Sequence, residues 1–198
     1  MQTWKPGSPA RVAGYGIELR TLTPGDIEEA LVAQLRNPEV SRHLALFADP
    51  ALLTRENLLR ILKTFDNRRN FFFAITASGD PRLLGLCWAR TNEAGVATLT
   101  LAVTDPAQWR RGLGIATTYL LRNFLFNAVK IHKAVARAYS DNAAVIARLE
   151  RTGWVREGLL REAEPDGKGG RRDVVVYALL REEHERGPKP NPLLPASS

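Results

Sequence analysis

Asp105-Pro106-Ala107-Gln108-Trp109-Arg110-Arg111-Gly112-Leu113-Gly114-Ile115-Ala116-Thr117 is the stretch that decides the fold. Before it, Val96 to Val103 is dense in β-branched and apolar residues and reads as a strand. After it, Ile115, Tyr119, Leu120, Phe124 and Ala128 recur at helical spacing from Gly114 to Val129. The segment therefore turns a strand into a helix through two closely spaced glycines. A helix N-terminus carries unpaired N–H groups and a partial positive charge. Glycines let the backbone approach another group closely, and Ala116 and Thr117 add little bulk. Arg110 and Arg111 place two guanidiniums beside the bend. These parts suit a diphosphate. A plain connecting turn uses the same glycines, and the local sequence leaves both readings open. The spacing is not G-x-G-x-x-G, and no Gly-Lys-Ser or Gly-Lys-Thr follows, so the dinucleotide-fold and P-loop readings are weaker still.

Upstream of this segment lies a meander. Phe71-Phe72-Phe73-Ala74-Ile75 is a strand, Ser78-Gly79-Asp80-Pro81 a turn, Leu83 to Arg90 the return strand, and Asn92-Glu93-Ala94-Gly95 the turn into Val96 to Val103. Further upstream, Gly16 to Leu22 alternates as a first strand. Thr23-Pro24-Gly25-Asp26 opens a helix with its stripe on Ile27, Ala30, Leu31 and Leu35, and a second helix starts at Thr54. Downstream come a strand from Ala134 to Tyr139 and a helix from Asn142 to about Arg151, closed by Gly153. A hairpin of Trp154–Leu160 and Asp173–Leu180 follows, joined by the polar loop Glu162 to Arg172. Residues 1–10 read as a flexible leader, 11–184 as one domain, and 185–198 as a disordered proline-rich tail.

The 198 residues suffice for one domain, and 44% hydrophobic with 25% charged content is that of a globular protein. No apolar run is long enough to span a bilayer, and Met1 to Gly16 has no secretory core, so a cytoplasmic location is expected. The single cysteine, Cys87, lies among Leu84, Leu86 and Trp88 and reads as a buried strand thiol. His43, His132 and His184 are scattered without metal-ligand spacing, so no metal is expected. There is no Gly-x-Ser-x-Gly elbow. The net charge of +7 attracts anions in general: a polyphosphate cofactor and nucleic acid both qualify. A nucleic-acid binder needs a basic stripe interleaved with exposed rings, whereas most aromatics here occupy apolar strand or helix positions.

Arg111-Gly112-Leu113-Gly114-Ile115-Ala116 fits the R/Q-x-x-G-x-G/A signature of the GNAT acetyltransferases. Downstream, Asn142, a helix, Gly153-Trp154 where the family usually has Gly-Phe, then Gly158, Arg161, Asp173 and Tyr177 follow in order. The chain thus resembles the branch holding the ribosomal-protein N-terminal alanine and spermidine acetyltransferases, over about Ile17 to Leu180.

The resemblance implies an α/β (α+β) fold: a mixed, mostly antiparallel sheet of about seven strands, helices on both faces, splayed at the cofactor. It implies acetyl-coenzyme A as cosubstrate, with the diphosphate on the amides of Arg111, Gly112, Gly114, Ile115 and Ala116, and Thr117 beside them. Leu101 and Val103 would pair their backbones with the pantetheine arm, and Asn142 would bond its far end. For Asn142 a plain helix cap is the other reading. Arg148 and Arg151 lie within reach of phosphates, although helix-surface arginines are commonly just solvated.

The implied reaction is direct attack of a primary amine (small amine, amino sugar or protein N-terminus) on the thioester. The glutamate that several relatives carry on the strand before the turn is missing here, and Leu149 stands where some have a tyrosine. Glu93, Thr98, Thr100, Tyr139 and Ser140 are the remaining groups nearby in sequence, and no catalytic residue is assigned. The alternative is a non-catalytic module that binds coenzyme A or its thioesters. The acceptor is expected on the opposite side of the sheet, walled by the first helices, the Arg36 to Asp49 connection and the hairpin. Its polar candidates are Arg36, Asn37, Arg42, Arg161 and Asp173. A homodimer is the assembly that the resemblance implies.

Overall fold

The computed structural model describes residues 4–44, 50–166 and 169–187. Its strands are β1 (Arg11–Gly14), β2 (Ile17–Thr21), β3 (Asn70–Ala77), β4 (Leu83–Thr91), β5 (Val96–Val103), β6 (Lys133–Tyr139), β7 (Val155–Pro165) and β8 (Arg171–Leu180). They form one sheet in the order β1-β2-β3-β4-β5-β6-β8-β7. Helices α1 (Glu29–Arg36), α2 (Pro38–Ser41), α3 (Arg55–Leu62), α4 (Leu113–Phe124), α5 (Ala143–Arg151) and α6 (Arg181–Arg186) complete it.

The sheet has eight strands, one more than expected. The extra strand is β1, paired to β2 through the turn Tyr15-Gly16, both at positive φ (56° and 75°). Such a turn suits the right-handed twist of a hairpin, but its first residue is usually Asn, Asp or Gly rather than Tyr. Trp4, in the stretch read as a leader, sets its ring edge-on to Phe71 and Phe124.

Two further expectations are corrected. Thr23 to Asp26 forms only a short 3-10 turn, and α1 starts separately at Glu29. The Asp26 carboxylate is drawn back to the Thr23 amide and hydroxyl and to Arg20, which ties the turn to β2. The polar segment after Leu160 is mostly strand, because β7 and β8 run on to Pro165 and from Arg171. β7 is an edge strand and almost wholly exposed, so its polarity marks solvent and not a loop.

Side-chain alternation divides the core. Phe71, Phe73, Ile75, Cys87 and Ala89 face α4, where Leu113, Ala116, Leu120 and Phe124 meet them. Phe72, Ala74, Leu86 and Trp88 face the other way, onto Leu31, Val32, Leu35 and Leu58 of α1 and α3. Both faces of β3 are thus covered, and each buried phenylalanine contributes roughly 2–3 kcal/mol. Burial also pushes the Cys87 thiol well above its ordinary pKa, so it stays protonated.

The β5–β6 pair is the parallel one, since α4 makes the crossover between them. Its pairing stops at Leu99 and Ala136. Beyond that point β5 runs on with β4 as far as Val103 and β6 with β8 as far as Tyr139, so the two strands part company. This gap positions everything described next.

Candidate functional site

Three pieces meet at the gap: the end of β5, the glycine turn and the start of α5. Consecutive main-chain groups of a strand point to opposite sides. The Thr104 amide donates to Leu84 O on the β4 side, so the amides of Leu101 and Val103 point away from β4, into the gap. Val103 O faces the same way and accepts from Trp109 Nε1 at 3.0 Å. The turn after β5 is therefore pinned to its end by an indole.

The turn is built from three local devices. Asp105 caps the short helical segment Pro106–Gln108 by accepting from the Ala107 amide at 3.0 Å. Arg110 takes a positive φ of 62°, and Gly112 sits in the left-handed region at φ 83° just before α4. A β-carbon at Gly112 would be strained there, which is a reason for glycine. The first main-chain bond of α4 runs from the Ala116 amide to Gly112 O at 3.0 Å.

Among the described residues, no backbone hydrogen bond uses the amides of Arg111, Gly112, Leu113, Gly114 or Ile115. Ala116 leaves the expected donor set, because its amide is already bonded within the helix and its side chain is in the core. Thr117 also turns inward: it is fully buried, and its hydroxyl has no partner among the described residues.

Asn142 caps α5 by accepting from the Val145 amide at 3.3 Å, while its own amide donates to Tyr139 O at 2.9 Å. Its Nδ2 has no bond to a described residue, so the cap occupies only one end of the carboxamide. Gly153, at φ 83°, ends α5. Arg148, on the same helix, lays its guanidinium against Gly114.

On the α1–α2 side of the sheet a cavity of about 370 Å³ is lined by Ser41, Arg42, Tyr139, Asp141, Asp166 and Arg172. Arg172 organises it. Its guanidinium bonds Asp141 at 2.5 and 2.7 Å, donates to Arg42 O at 2.7 Å and lies 3.6 Å from the Tyr139 ring centroid. The His43 ring is part of the group, with Nδ1 3.5 Å from Arg172. Burial lowers the His43 pKa, and the Arg42 and Arg172 charges lower it further, so the ring is neutral at physiological pH. Burial raises the Tyr139 pKa, so its hydroxyl keeps its proton.

The other acceptor-side candidates divide. Arg36 donates to Leu53 O, Asn37 caps α2, and Asp173 accepts from the Glu162 amide, so all three serve the scaffold. Arg42 reaches the cavity, and Arg161 is exposed. Residues 45–49 of the expected wall lie outside the described residues. Glu93 pairs with Arg69 at the far end of β5 from the turn. The sequence did not single out His43 or Arg172. His43 and Arg172 lie 129 positions apart, a separation that carries no local signal.

A sheet that parts beside a crossover helix, with free amides at that helix's start and a polar cavity bordered by the end of β6, is built to hold an anionic cofactor beside a second, small substrate. The model of the acetyltransferase (GNAT) domain matches residues 17–155. The chain belongs to the GNAT acetyltransferase family, and acetyl-coenzyme A is its cosubstrate. It is 22% identical over 173 residues to an uncharacterized N-acetyltransferase, p20, of Bacillus licheniformis, covering 84% of this chain and 96% of that one. Among solved structures it shares its fold with Mycobacterium smegmatis RimJ in complex with CoA-disulfide (TM-score 0.77, 19% identity, 91% of each chain). It shares it also with spermidine N-acetyltransferase from Vibrio cholerae in complex with CoA and spermine (TM-score 0.76, 18% identity, 86% of this chain and 98% of that one). Among the described residues, no helix is long and apolar enough to cross a membrane, and no group of three His, Cys, Asp or Glu is placed to hold a metal ion.

Proposed function

We propose that this acetyltransferase delivers its acetyl group to a primary amine: a small amine, an amino sugar or a protein N-terminus. The carrying observation is the gap between β5 and β6, flanked by unbonded amides at the start of α4 and by the Tyr139-lined cavity on the other face. A thioester laid along Leu101 and Val103 presents its carbonyl oxygen to main-chain donors, which stabilise the oxyanion. The neutral amine enters from the cavity, and its lone pair forms the N–C bond as the C–S bond breaks. The ammonium proton leaves to a neutral base and the thiolate takes one up. His43, held uncharged beside Arg172, is the candidate base, and Tyr139, on the cavity wall, is the candidate proton donor. The neighbour solved with CoA and spermine supports an amine as acceptor.

This reading places the protein in the cytoplasm, where acetyl-coenzyme A is made. It takes the outer edge of β7, where Leu159 and Leu160 are both 45% exposed, as the surface for a homodimer. The deciding experiment is thiol release from acetyl-coenzyme A across a panel of polyamines, amino sugars and short peptides. Steady turnover with any of them supports the reading. Tight binding without turnover on the whole panel supports a non-catalytic coenzyme A module, which the carboxylate-free β5 and the buried Leu149 favour.

A further inference from the structure

Arg148 is an unusual cation. Its Nε is sealed from solvent and has no hydrogen-bond partner. Among the described residues no carboxylate pairs with its guanidinium. Burial alone acts on its pKa, drawing it down to about 10, and no neighbouring charge offsets it. Nη1 and Cδ stand 3.1 and 3.4 Å from where a β-carbon on Gly114 would lie. The guanidinium thus sits at the positive end of α4, beside the unbonded amides of Arg111 to Ile115. A guanidinium whose Nε is sealed from water and which faces a positive helix end is unfavourable in the free protein. The nearest acid on its own helix, Glu150, is taken by the Tyr177 hydroxyl at 2.8 Å. Every element of the arrangement lacks the same thing, a negative charge.

We propose that Arg148 is a diphosphate ligand of coenzyme A, closing from α5 the anion site that the α4 amides open, and that the free protein gives up stability to keep it there. The assignment rests on the acetyl-coenzyme A reading of the cleft and adds to it a side chain outside the glycine motif. Arginine suits the task because its donors form a rigid fork that matches phosphate oxygens.

Two quantities separate this role from a structural one: the melting temperature of the free protein, and the dissociation constants of coenzyme A and dephospho-coenzyme A by calorimetry. Arg148→Met keeps length and helix propensity and removes the charge, while Arg148→Lys keeps the charge and removes the fork. The free Met variant is expected to melt at or above the wild-type temperature while binding coenzyme A roughly ten- to a hundredfold more weakly. The Lys variant is expected in between. Dephospho-coenzyme A should show the same loss, since it retains the diphosphate. Wild-type binding with unchanged affinity in Arg148→Met overturns the assignment and leaves the acetyl-coenzyme A reading intact. So does a Met variant that melts lower with unchanged affinity. A loss seen with coenzyme A but not with dephospho-coenzyme A overturns the diphosphate assignment in favour of the 3′-phosphate. Absence of binding by the wild-type protein overturns both the assignment and the reading beneath it.

Discussion

The Arg172 guanidinium lies 3.6 Å from the centroid of the Tyr139 ring while its nitrogens hold Asp141 and the Arg42 carbonyl. One side chain therefore ties together the end of β6, the β6–α5 connection at Asp141, the exit of α2 and the closing hairpin. All four border the cavity on the acceptor side. Arg172→Met removes the charge-assisted bonds but keeps aliphatic contact with the ring. Each such bond is worth about 1.5–3 kcal/mol when well shielded, and less where Asp141 meets solvent. The expected result is an acceptor KM raised about tenfold with the coenzyme A dissociation constant unchanged. Equal KM values in steady-state kinetics remove Arg172 from the acceptor wall.

Tyr139→Phe tests the hydroxyl apart from the ring. The ring packs against Arg172 and His43, so the variant is expected to melt within a degree or two of wild type. A positioned proton donor contributes about 10²–10⁴ in rate, so kcat should fall by at least tenfold while coenzyme A binding holds. The alkaline limb of the kcat profile should shift as well, because the hydroxyl that titrates there is gone. A kcat and profile equal to wild type leave Tyr139 as packing only.

Gly112 and Gly114 need glycine for different reasons. At Gly112 the cause is the backbone, at φ 83°, so Gly112→Ala is expected to cost about 1–2 kcal/mol of stability and to blunt coenzyme A binding by turning the amides aside. At Gly114 the cause is space. A tryptophan there would drive into Arg148 and Leu101, and Gly114→Trp is expected to abolish coenzyme A binding. Thermal melts with and without coenzyme A read both outcomes, and a Gly114→Trp protein that still binds would refute the placement of the cofactor at this bend.

Features that act within a few residues were legible in the sequence. The glycine turn, the helix start at Thr54 and the bracketing of α5 by Asn142 and Gly153 are all local, and the chain places them as read. The 3-10 turn at Thr23 went unread because Asp26 answers to Arg20 on a neighbouring strand as much as to its own helix. β1 went unread because Tyr15 occupies a left-handed position without a glycine or asparagine to announce it. The His43, Tyr139 and Arg172 group and the meeting of Arg148 with Gly114 depend on how separate elements cross, and periodicity along one element cannot report that.

Asn142 separates its two roles under substitution. Asn142→Asp keeps an oxygen to cap the Val145 amide but loses Nδ2, whereas Asn142→Ala loses both. The Ala variant is expected to lose about 1 kcal/mol of stability, and the Asp variant to keep it. Both should raise the acetyl-coenzyme A KM severalfold if Nδ2 bonds the pantetheine arm. A wild-type KM in the Asp variant leaves Asn142 as a cap alone.

His184 sets a pH dependence far from the site. Its ring stacks on Phe126 with centroids 4.6 Å apart, and Nδ1 is buried without a partner. Burial, together with the charges of Arg122 and Arg181, lowers its pKa from 6.5 to about 4. The fold therefore favours the neutral ring. Its contribution to stability is complete above pH 6.5 and is lost as the pH falls toward about 4, because the unfolded chain binds the proton first. Carboxylates also titrate in this window, so the comparison must be with a variant. His184→Gln, which cannot charge, is expected to lose less melting temperature than wild type between pH 7 and pH 4.5. Identical losses in the two proteins would show that the ring is protonated in the folded state without cost, and would place α6 outside the cooperative core.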